Sequence, residues 1–70
     1  MSLAESVRWK AERMRRHNPD LREGQALANA LSKVDPGLGR QLVADLPHDP
    51  FFDDARIPAF WEWLAEHDGG

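Results

Sequence analysis

Four ionisable groups, His48, Asp49, Asp53 and Asp54, fall within seven positions of one another. Imidazole nitrogen and carboxylate oxygen at such spacing are the donors that hold a divalent ion or share acid–base work. The acids do not alternate as the D-x-D-x-D-G of a calcium loop requires. The competing reading is conformational: Asp49 caps a turn, and Asp53 or Asp54 caps the helix that follows. It is preferred, so no metal and no cofactor is expected. His17 beside Asp20, and His67 beside Glu66, read as surface pairs.

Nucleophiles are scarce. Ser2, Ser6 and Ser32 are the only hydroxyls, and threonine, tyrosine and cysteine are absent. None of the serines has a base placed to activate it, so covalent catalysis has no starting group. Gly37-Leu38-Gly39 lacks the third glycine and the preceding strand of a phosphate loop. The expectation is a protein that is not an enzyme.

Aromatics are the stronger signal. Phe51, Phe52, Phe60, Trp61 and Trp63, five of six, lie in the last twenty residues. Such side chains bury about 150–250 Å² each and dominate both cores and interfaces. Phe60, Trp61 and Leu64 share a helical stripe with Ile57 at its entrance. Trp63 points about 100° or more away from that stripe, at roughly 100° per residue. Trp9 likewise sits off its helix's apolar face, among arginines. Either both tryptophans lap over the edges of the core or at least one belongs to an interface, where Trp and Arg are enriched. The candidate interface is therefore Trp9, Arg13, Arg16, Phe51, Phe52 and Trp63.

Helices must position these groups. Leu3, Val7, Ala11 and Met14 recur at helical spacing, predicting a helix over 3–17. Ser2 and Glu5 form a capping-box pattern at its start, and Asn18-Pro19 stops it. Asn18-Pro19-Asp20 is itself a helix start, predicting a second helix over 20–34 with the stripe Leu21, Gly24, Leu27, Ala28, Leu31 and Val34. Gly24 marks either a close helix contact or a later start near Arg22. Asp35-Pro36 repeats the cap-plus-proline device ahead of a third helix over 37–46, with Leu38, Leu42, Val43 and Leu46 inward. Pro47-His48-Asp49-Pro50 is a loop, with a short turn through Phe51 and Phe52. A fourth helix spans 57–67, with Pro58 in its first turn. Residues 68–70 are expected to fray. No alternating run suggests a strand, so the fold class is all-α, a compact bundle of about four short helices in a single domain.

Seventy residues bury only about 60% of their unfolded surface, which makes the core marginal. Without cysteine, neither disulfides nor a zinc–thiolate site reinforces it, leaving self-association or a partner. The absence of cysteine suits a reducing compartment. No apolar run approaches a membrane span, and the N-terminus is no secretory signal, so a cytoplasmic protein with no membrane role is expected. The net charge of −3 is uneven. The basic helix over 1–17 carries five basic groups against two acidic, and the acidic body beyond it four against ten.

That imbalance weighs against nucleic acid, whose phosphates reward positive charge. Gln25 to Leu46 has about the length of a helix-turn-helix, yet its second helix offers a groove only Arg40 and Gln41, and Asp45 would repel phosphate. A protein partner or a second copy of the chain is the leading expectation. A nucleic-acid binder using the basic first helix is the alternative.

Two stretches, Arg22-Glu23-Gly24-Gln25-Ala26-Leu27-Ala28-Asn29-Ala30-Leu31 and Asp49 through Phe60, resemble small uncharacterised helical proteins of bacteria and their phages. The shared pattern runs R-x-G-Q-A-L-x-N-x-L, then D-P-F-[FY]-D-D, then I-P-x-F. The resemblance covers about residues 20–64 and omits the basic helix. It implies a compact helical protein, and a phage-like setting would suit an adaptor or an inhibitor of a host factor. It transfers no functional residue.

Overall fold

A computed structural model describes residues 2–44 and 49–67. The expected end of the third helix, the loop residue His48 and the tail over 68–70 lie outside them. Among the described residues are four α-helices, one 3-10 turn and no strand: α1 (Leu3–His17), α2 (Glu23–Val34), α3 (Pro36–Ala44), the turn Asp54–Arg56 and α4 (Ile57–His67). None of these helices is long and apolar enough to cross a membrane.

The bounds of α1 and α4 are those expected. Ser2 caps α1, its Oγ accepting from the Glu5 backbone N–H at 3.1 Å. Asn18 closes α1 by donating its N–H to Met14 O. Residues 18–21 then form a turn, with Leu21 N–H donating to Asn18 O at 3.1 Å, and α2 starts three residues later than expected. Two groups set that start. The Gln25 side chain accepts from Arg22 N–H at 3.0 Å, and Asp54 Oδ1 accepts from Gly24 N–H at 3.0 Å. The second cap comes from a distant loop, so the local Asn-Pro signal loses. Asp35 behaves as read: its Oδ1 accepts from Leu38 N–H and its carbonyl from Gly39 N–H, opening α3.

α2 is the centre of the fold. α1 and α3 pack along it, and the 3-10 turn meets its first residues. Ala26, Leu27, Ala28, Ala30 and Leu31 are all buried, so α2 is covered on more than one side. Small residues there let neighbouring backbones approach. Phe60, Trp63 and Leu64 of α4 complete the core with Val7, Ala11 and Leu42.

Two apolar residues expected inside are exposed. Val34 and Val43 are 39% and 63% exposed. Each lies in the last turn of its helix as described, beside a hollow that leaves it open. Trp61 is half-buried at the core's edge.

Gly39 shows how tightly α3 sits on α2. A Cβ there would lie 2.5 Å from Ser32 Oγ and 2.8 Å from Ser32 Cα. A backbone atom cannot rotate aside, so Gly39→Ala must spread the two helices. The expected cost is about 1–3 kcal/mol, read as a lower urea midpoint. A change under about 0.5 kcal/mol, the scale of neutral surface substitutions, would show that the crossing yields freely.

Candidate functional site

Asp49, Asp53 and Asp54 are the described members of the candidate metal-ligand group. Asp49 is 4% exposed, and its Oδ1 accepts from Phe51 N–H at 2.9 Å, an Asx turn. Asp53 Oδ1 accepts from Ala55 N–H at 2.9 Å, capping the 3-10 turn. Asp54 Oδ1 takes both Gly24 N–H and Arg22 Nη1, the latter at 3.2 Å. Arg22 Nη2 donates to Phe51 O at 2.6 Å. The three carboxylates each bind backbone N–H groups and order a loop. Among the described residues, no three His, Asp or Glu side chains are grouped to hold a metal ion.

The same contacts join the segment over 22–31 to the segment over 49–60. Arg22 and Gly24 of the first meet Phe51 and Asp54 of the second, and Gly24 lies against the Pro50 carbonyl. A conformational role accounts for these residues: the loop is clasped to the start of α2, and the clasp presents Phe51 and Phe52. Arg22 and Asp54 are both part-exposed, so their ion pair itself contributes little. Arg22→Ala should therefore cost about 1 kcal/mol, mostly through the bond to the Phe51 carbonyl. Urea titrations of both proteins at low salt and at about 0.5 M salt test this. The cost should persist at high salt, whereas a loss that vanishes would assign it to the screened ion pair.

The candidate interface residues divide into three groups, with Arg16 apart from all of them. Trp63 is corrected: it is 4% exposed and belongs to the core. On an ideal helix Trp63 lies about 60° to one side of Phe60, while Trp61 lies about 100° to the other. Phe60 is fully buried, so the nearer tryptophan goes inside. Trp61 instead lies under the Arg8 guanidinium, 4.9 Å from its ring centre.

Phe51 and Phe52 form the second group. Their rings meet edge to face at 4.8 Å. Phe51 packs on the core, and Phe52 is 71% exposed. Together with Asn29, Ser32, Leu42 and Val43 they border an apolar hollow of about 260 Å³ between α2 and α3.

Trp9 and Arg13 form the third. Trp9 is 52% exposed, and the Arg13 guanidinium lies 4.8 Å from its ring centre, one helical turn on. Ser6, Trp9, Lys10 and Val34 line a hollow of about 320 Å³ whose walls are mainly apolar. A second hollow of about 250 Å³ continues along α1, lined by Lys10, Arg13, Met14 and His17. Arg16 does not join them; it borders a separate depression with Glu12, Arg15 and Pro19. Val34 was missed because a stripe residue is read as inward. Its place on the last turn of α2 was the available signal that it would be exposed.

α2 and α3 are separated by one residue, Asp35. A helix-turn-helix uses a turn of about three to four residues. Compared with family models, curated proteins and solved structures, the chain matches none.

Proposed function

We propose that this chain is a small non-catalytic module that binds another protein through the Trp9 face of α1. The observation that carries the reading is Trp9 itself. It is a half-exposed tryptophan with an arginine over its ring and an apolar hollow beside it. Tryptophan and arginine are the side chains most often dominant in protein interfaces. A cation–π pair holds the ring in place before any partner arrives, which lowers the cost of ordering it. An adaptor or inhibitor working in the cytoplasm belongs to this proposal. The phage-like resemblance and the cysteine-free composition support that setting.

The Phe52 hollow is mainly apolar, and the charged group in its lining, Asp49, is buried and already bound to Phe51 N–H, so it ranks second. A nucleic-acid role is less favoured. A single residue joins α2 to α3, too short for the turn of a helix-turn-helix.

The test is affinity capture with the wild-type chain and its Trp9→Ala variant, each first shown to be folded. A protein retained by the wild type and lost from the variant is the expected result. Equal capture by both, or capture by neither from a chain that is monomeric by light scattering, overturns the proposal.

A further inference from the structure

We infer that the Trp9 face docks an acidic amphipathic segment, one whose apolar side chain enters the hollow at Trp9 and Val34 while its carboxylates meet Lys10 and Arg13. This rests on the reading of the Trp9 face as a protein-binding surface and names the partner's chemistry.

Charge carries the inference. The chain is acidic overall, with a formal charge of −3, yet no carboxylate lines either hollow along this face. The two acids of α1, Glu5 and Glu12, fall outside both linings. Glu12 turns to the neighbouring side, where it borders hollows with Arg15. What remains along the face is Lys10, Arg13 and the His17 imidazole, set around Trp9, Val34 and the half-buried Met14. A locally cationic strip on an acidic protein attracts a segment of opposite sign and rejects one of like sign.

Shape agrees. The two hollows share Lys10 and follow α1 from Ser6 to His17. Those residues span about 17 Å at 1.5 Å of rise each, roughly three turns of a docked helix. The apolar walls at Trp9 suit a Leu- or Phe-sized anchor, and Lys10 beside it and Arg13 one turn on suit carboxylates flanking that anchor. Nucleic acid fits less well. Arg13 already covers one face of the Trp9 ring on which a base would stack.

The experiment is selection of displayed random peptides, about 15 residues long to match α1, on the wild-type chain. Counter-selection uses the folded variants Trp9→Ala and Lys10→Glu/Arg13→Glu. Peptides rich in Asp and Glu around one or two apolar anchors are expected. Their binding should fall at least tenfold with Lys10→Glu/Arg13→Glu, and about tenfold between roughly 50 mM and 0.5 M salt. Trp9-dependent peptides with no acidic excess would overturn the inference and leave the binding module standing. No Trp9-dependent peptide at all would overturn both. A single-stranded oligonucleotide of about 20 nucleotides that displaces the selected peptides at equal or lower concentration would also overturn it. So would a dimer of this chain abolished by Trp9→Ala.

Discussion

Gly24→Ala is expected to destabilise the fold by roughly 2–4 kcal/mol, although alanine is the better helix former by about 1 kcal/mol. Gly24 is not chosen for its backbone conformation, since no described glycine has a positive φ. It is chosen for space. A Cβ there would collide with the Pro50 carbonyl oxygen and lie 2.6 Å from Asp54 Oδ1. The carbonyl is backbone, so relief requires the loop to lift away. Lifting it stretches the Gly24 N–H bond to Asp54 and both Arg22 contacts together. Losing a hydrogen bond to a charged group costs about 1.5–3 kcal/mol, and overpacking costs about 1–3 more. A domain of this size has about 4–10 kcal/mol in total. Gly37→Ala is the control, because its nearest neighbour would be Asp35 Oδ1 at an acceptable 3.4 Å. Urea titrations should give a much lower midpoint for Gly24→Ala and an unchanged or higher one for Gly37→Ala. Equal midpoints would mean that the clasp does not hold the loop.

That clasp also separates what the sequence made legible from what it did not. The bounds of α1 and α4, and the opening of α3, follow from signals within one turn of each helix end. Examples are Ser2 with Glu5, Asn18-Pro19, Asp35-Pro36 and Pro58. The start of α2 follows only in part: Gly24 hints at a start near Arg22 and Gln25 caps it locally, but the second cap is Asp54, thirty positions away. The sequence pattern of α2 predicts one buried stripe. An amphipathic pattern assumes one covered side, and Ala26 and Ala30 are buried because α2 is covered on others too. The Asx caps of the acidic loop were legible by type, since short carboxylates favour such turns. That Asp54 would cap a different helix was not.

For the interface, Trp9 and Arg13 were legible as an i, i+4 pair off the apolar face. Val34 is legible only through its place on the last turn of α2, since the apolar stripe alone reads it as inward. Arg16 shares the sequence neighbourhood of the pair but faces Glu12 and Arg15 instead.

Trp63 and Trp9 looked equivalent as sequence, each lying off its helix's stripe, and they separate the roles of core and surface. Trp63→Ala is expected to cost about 3–5 kcal/mol, the range for truncating a large buried aromatic. The indole is packed in the core with Phe60 and Leu64, and its ring centre lies 4.2 Å from that of His67, the planes tilted by 34°. Removing it opens a void that the fully buried Phe60 and Leu64 cannot fill without leaving the core. With about 4–10 kcal/mol in hand, the variant should be largely unfolded at 37 °C or melt far below the wild type. Trp9→Ala should behave oppositely. It removes a half-exposed ring and one surface cation–π contact, worth about 0.5–1 kcal/mol. Thermal melts followed by circular dichroism distinguish the two directly. A Trp63→Ala protein that melts like the wild type would return Trp63 to the surface and restore it as an interface candidate. A Trp9→Ala protein that loses several kcal/mol would make Trp9 a structural residue and remove the ground on which its role in binding stands.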